Sequence, residues 1–145
     1  MAEETAVKRA PRKKTIKKTV ASGKRKRAIA RASVSKGTGR IMFNGRPLSM
    51  VSDTLAREII AEPLTFVNAS DYDVNVKANG GGVMGQAQAA RTAIAKALIV
   101  LSGDATLRTK MVAFDRSMVI NDPRRVEPKK FKGPKARARF TKSYR

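Results

Sequence analysis

The chain has no cysteine, no histidine and no tryptophan, two tyrosines, and 11 acidic residues against 32 lysines and arginines in 145. Without cysteine there is neither a disulfide staple nor a thiolate nucleophile. Without histidine the usual general base and the commonest metal ligand are missing. A reducing cytoplasm suits that composition. No apolar run approaches the roughly eighteen residues needed to cross a bilayer. The opening MAEETAVKRAPRKKTIKKTVASGKRKR lacks the apolar core of a secretory signal, so neither a membrane nor a secreted destination is expected.

What is there is positive charge, a formal +21. Self-repulsion on that scale works against compaction unless a polyanion neutralises it, and nucleic acid is the leading partner. Residues 1–27 and 122–145 hold seventeen of the twenty-one net charges, while the middle is nearly ordinary. The expected organisation is a basic, disordered arm over 1–22, a globular α/β domain over 23–121, and an extended basic tail over 122–145. The cluster PRKKTIKK in the first arm fits a targeting signal and an RNA-binding arm alike.

Within KRKRAIARASVS, Ala28, Ala30, Ala32 and Val34 share one face at a period of two, with Arg25, Arg27 and Arg31 on the other. KGTG then turns the chain and RIMFNG returns it, which predicts a hairpin with a basic outer surface. DTLAREIIAEPL reads as a helix with Asp53 at its N-cap and Pro63 near its end. DYDVNVKANG alternates as a strand with Tyr72, Val74, Val76 and Ala78 on one side. A long helix is predicted from about 83 to 101, carried by Val83, Ala87, Ala90, Ile94, Leu98 and Leu101. SGDATLRTKMVAF begins another, capped at Ser102 or Asp104. Beyond Asn121 no period returns, and Pro123, Pro128 and Pro134 favour an extended path, up to ~80 Å if fully stretched.

The stretch GGGVMG at 80–85 satisfies G-x-G-x-x-G between a strand and a helix. A phosphate-binding P-loop would need Lys and Ser or Thr where Gln86 and Ala87 stand. A dinucleotide fold would need an acid ending a second strand, and Asp104 instead precedes a helical pattern in a chain too short for both halves. The glycines are left as a sharp turn whose amides at the helix start could meet a phosphate. Asp71 and Asp73 could pair on one strand face, but solvated strand polarity is the simpler account. No nucleophile and base occur together, so no catalysis, cofactor or metal is expected. RNA is favoured over duplex DNA, because no recognition-helix or zinc-finger spacing appears while proline-bearing basic arms can thread folded RNA.

Three ordered blocks, SGKRKRAIARASVSKGTGRIMFNGRPL, VNVKANGGGVMGQAQAARTAIAKAL and DPRRVEPKKFKGPKARARFTKSYR, together resemble the ribosomal protein S9 (uS9) family of the small subunit in its archaeal and eukaryotic form. The resemblance implies a structural protein of the cytoplasmic small-subunit head that is not an obligate homo-oligomer. Its partners would be 16S-type rRNA, P-site tRNA and neighbouring head proteins. The implied fold is an α/β sandwich of the ribosomal-protein-S5 second-domain type, with helices on one side of a four-stranded sheet. The tail's end would approach the tRNA anticodon stem-loop through Lys142, Tyr144 and Arg145. Implied rRNA contacts are Lys24, Arg25, Arg27 and Arg31 near the hairpin, and Gly80, Gly81, Gly82 and Gln86 at the glycine corner, which also includes Gly85. In the tail they are Arg124, Arg125, Lys129, Lys130, Arg137 and Arg139. Where the family commonly reads Gly-Gly-Pro-Gly this chain has Lys132, Gly133, Pro134 and Lys135, which argues against left-handed turn geometry there. Thr141 stands where Gln is frequent. A free-standing RNA or DNA binder with the same arms is the alternative.

Overall fold

A computed structural model describes residues 18–141. Most of the arm expected over 1–22, and the tail tip with Lys142, Tyr144 and Arg145, lie outside the described residues. The strands are β1 (Thr19–Arg25), β2 (Ala28–Lys36), β3 (Ile41–Phe43), β4 (Arg46–Pro47) and β5 (Tyr72–Asn79). The helices are α1 (Thr54–Ala61), α2 (Val83–Ser102), α3 (Ala105–Phe114) and α4 (Arg116–Val119), with short 3-10 turns at Leu48–Met50, Glu62–Phe66 and Ala69–Asp71.

The sheet runs in the order β1-β2-β5-β3-β4, with β3 parallel to β5 and the other pairings antiparallel. Five strands stand where four were expected; the additional β4 is the two-residue Arg46–Pro47, directly after the RIMFNG stretch. The predicted hairpin of β2 with β3 does not form. β5 inserts between them and β2 instead pairs with β1 across the turn at Lys26 and Arg27. That turn also moves Arg25, which falls opposite Ala28 on the helix-covered side, while Arg31 keeps the open side.

Ala28, Ala30, Ala32 and Val34 of β2 and Val74, Val76 and Ala78 of β5 are buried under α2, as their alternation predicts. α2 is closed in on most of its circumference, since α1 and α4 pack on it as well. Its alanines let these layers approach. At Gly23 of β1 the approach reaches backbone: a Cβ there would sit 2.7 Å from the Ala93 nitrogen and closer still to the Ala89 carbonyl oxygen. Asp53 caps α1 by accepting from the amides of Leu55 and Ala56. Asp73 faces the loop between β2 and β3 and accepts from the amides of Arg40 (3.0 Å) and Thr38 (2.9 Å), which hold its carboxyl below the usual range. It latches a loop.

Replacing Gly23 with alanine should therefore force β1 off α2. The expected cost is about 2–3 kcal/mol, read as a lower urea midpoint with an unchanged slope. Alanine at the exposed Gly82, where φ is −101° and a Cβ meets nothing within 4 Å, is the comparison and should cost less.

Candidate nucleic-acid interface

The candidate interface lies where β1 and β2 turn, the glycine corner ends β5, and the tail leaves the body. Gly80 and Gly81 have φ of 75° and 66°, and a Cβ on Gly80 would fall 2.7 Å from the carbonyl oxygen of Arg27. A glycine is required for that corner to lie against the β1–β2 turn. Gln86 secures it by donating from Nε2 to the Gly80 carbonyl at 3.2 Å, and Gly82 caps α2 with no side chain on the first amides. The glycines thus set Lys26 and Arg27, both exposed, beside the start of α2.

The tail is brought to the same place by ion pairs that no local pattern announces. Arg91 of α2 holds Glu62 through two contacts, Nε to Oε2 at 2.7 Å and Nη2 to Oε1 at 3.0 Å, and gives Nη1 to Asp115 at 2.8 Å. Burial pushes the Asp115 carboxyl up, but the Ser117 amide and hydroxyl and the Arg91 guanidinium outweigh it and hold it below its ordinary value. Asp115 also caps α4, and Thr92 donates to the Ser117 carbonyl at 3.2 Å, so α4 is fixed on α2. Lys96 then reaches Asn121 at 2.8 Å, with burial lowering its pKa.

Next comes Asp122, whose side chain is 10% exposed. It pairs with Arg25 at the end of β1 and with Arg124 in the tail, the latter at 2.7 Å to Nη2. Two residues named as RNA contacts, Arg25 and Arg124, thus share one carboxylate and clamp the tail to the sheet. Its described residues, up to Thr141, form no helix or strand, as the prolines predict, yet the tail bends back after Glu127. Arg137 grips Glu127 at 3.0 and 2.6 Å, and Arg139 donates to the Phe131 carbonyl at 2.8 Å. The pairing lowers the Glu127 pKa and raises that of Arg137. Lys132 adopts φ 54°, so the left-handed geometry argued against by its missing glycine is present; the charged side chain projects from a bend that tolerates it.

Arg125, Lys129 and Lys130 are exposed in the tail, and Arg31 on the open sheet face. Arg31 lies directly opposite Lys77, a residue the sequence placed outward but did not nominate. Like charges in cross-strand register repel, and an anion laid over that face would relieve the repulsion. Among the described residues no cluster of three or more acidic side chains could hold a metal ion, and no helix is long and apolar enough to cross a membrane.

Comparison with known proteins gives a consistent result. Residues 23–145 match the family model described as ribosomal protein S9/S16. The chain is 47% identical over 130 residues to the small ribosomal subunit protein uS9 of Halobacterium salinarum, covering 88% of this chain and 98% of that one. It is 46% identical over 126 residues to the uS9 protein of Methanothrix thermoacetophila, covering 86% and 96%.

The tail bend should respond to acid. Because the Glu127 pKa is depressed, the pairing contributes fully above the ordinary carboxylate range and is lost as pH falls through the lowered value. With no native cysteine to interfere, dyes on Lys129→Cys and Ala138→Cys should show the bend opening on acidification. Glu127→Gln should leave it open throughout; an unchanged dye separation in that variant contradicts the ion-pair account.

Proposed function

The chain belongs to the ribosomal protein S9/S16 family, as a uS9 protein of the small subunit with a structural, non-catalytic role, and we propose from that premise how its parts serve the ribosome. The body binds 16S-type rRNA in the cytoplasmic subunit head, beside other head proteins, and keeps the sandwich arrangement of the ribosomal-protein-S5 second domain. Burial of a single sheet face under the helices supports that arrangement. The tail tip, with Lys142, Tyr144 and Arg145, reaches the anticodon stem-loop of P-site tRNA. The division into an arm over 1–22, a body over 23–121 and a tail from 122 serves these separate contacts, although β1 already begins at Thr19.

The observation that carries the RNA reading is the clamp of Arg25 and Arg124 on Asp122. It brings the cations of the β1–β2 turn and of the tail side by side without neutralising Lys24, Arg27, Arg125 or Lys129. Arg31 with Lys77 extends the field over the open sheet face, and Gly80, Gly81, Gly82 and Gln86 present the uncapped start of α2. Lys130 faces solvent, and Arg137 and Arg139 fix the shape of the tail as well as supplying charge. Contacts of this kind go to phosphate and suit a scaffold protein. A tip that touches tRNA phosphates would hold every tRNA alike, because such contacts carry no direct base information.

Small subunits reconstituted with a chain ending at Thr141 should incorporate normally and lose about 1–2 kcal/mol of P-site tRNA affinity, the scale of one charge-assisted contact. Equal tRNA affinity would reduce the last four residues to an rRNA anchor. The full chain should stay with small subunits through a high-salt wash, whereas a free-standing, non-specific binder would be released as salt rises.

A further inference from the structure

A groove runs between the β1–β2 turn and the bent tail. Lys24, Lys26 and Arg27 line one wall, and Arg125, Lys129 and Lys135 the other. The acid lining it, Glu127, is already held by Arg137, so the groove presents a nearly pure cationic rim. Its other lining is apolar: Ile29 is 49% exposed and Val126 81%, and Pro128 and Pro134 lie along the tail side.

We propose that this groove takes one unpaired RNA strand in preference to a duplex, a specificity that rests on the RNA-binding reading above. A duplex turns phosphates and sugars outward and keeps its bases stacked inside, so it would meet the rim and gain nothing from Ile29 and Val126. An unpaired nucleotide offers both parts at once, phosphates for the rim and an exposed base face for the apolar lining. The geometry is set by internal bonds. Asp122 ties the root of the tail to β1, Glu127 and Arg137 close the bend, and Gly80 packs the glycine corner on the carbonyl of Arg27. Each wall is therefore held before any RNA arrives. An acidic peptide could also meet the rim, but it lacks the planar apolar faces that the lining favours.

The test uses the full-length chain, a short labelled oligouridylate and a length-matched RNA duplex, with anisotropy read across a salt series. The groove pair Lys26→Glu with Lys129→Glu is compared with Arg108→Glu and Lys110→Glu, exposed on α3 and equal in charge change. The groove pair should weaken oligouridylate binding at least about tenfold more than the α3 pair, while both pairs weaken duplex binding alike. Ile29→Ser, on the open sheet face, should weaken oligouridylate several-fold at every salt concentration with the salt slope unchanged. Equal losses from the two charge pairs, or a duplex loss matching the single-strand loss, would overturn the groove while leaving the RNA reading standing. Failure of the RNA reading looks different: the unaltered chain would bind polyglutamate as tightly as oligouridylate at high salt.

Discussion

The guanidinium of Arg91 sits between Glu62 and Asp115 with its side chain 11% exposed, and the path of the chain after α3 depends on that pairing. Glu62 follows α1, Arg91 lies midway along α2 and Asp115 starts α4, so one cation joins three elements distant in sequence. Burying such a pair offers little net stability against a well-packed apolar alternative. Removing a carboxylate is another matter, because it leaves the largely buried Arg91 guanidinium short of a partner, whereas Glu62 and Asp115, 27% and 36% exposed, keep part of their hydration. The pairing therefore specifies an arrangement more than it strengthens one. With α4 fixed, Asn121 meets Lys96 and Asp122 meets Arg25, and the tail departs from a defined point.

Acids are scarce in this chain, and six of the nine among the described residues work at joints, with Glu58, Asp71 and Asp104 exposed. Asp53 caps α1, Asp73 latches a loop, Glu62 and Asp115 flank Arg91, Asp122 clamps the tail and Glu127 closes its bend. Scattered acids would instead have neutralised the surface. Concentrating them where backbone must be held leaves Lys26, Arg27, Arg31, Lys77 and much of the tail as unscreened positive charge. The same economy explains a body that folds around small apolar residues: alanines and one glycine in close contact occupy the layer between sheet and α2.

β5, α1, α2 and the glycine corner were legible because each carries its own local signal, a period, a cap or a breaker. β1 was not. The buried position at its centre is Gly23, so TVASGKR shows no apolar alternation, and the turn after it uses Lys26 and Arg27 in place of glycine or asparagine. Those two silences displaced Arg25 from its expected face. The insertion of β5 between β2 and β3 is a long-range pairing, invisible to any window. The candidate site was legible in composition but not in assembly: its basic residues stand out by type, while Arg91, Asp115 and Asp122, which arrange them, are separated by tens of positions from the partners that matter, Glu62 and Arg25 among them.

Lys26 and Lys132 both sit at positive φ, 53° and 54°, one in the β1–β2 turn and the other in the bent tail. An L-residue with a long side chain gives up about 1 kcal/mol of conformational energy in that region, and glycine would give up none. Two points of backbone strain have thus been kept in exchange for two ammonium groups at the bends that carry them. Among the described residues the return is slight, the Lys132 ammonium lying over the exposed Phe131 ring at 5.8 Å from its centroid. The rest is stability forgone by the free protein, and the balance is favourable only in a setting where a negatively charged neighbour is always at hand.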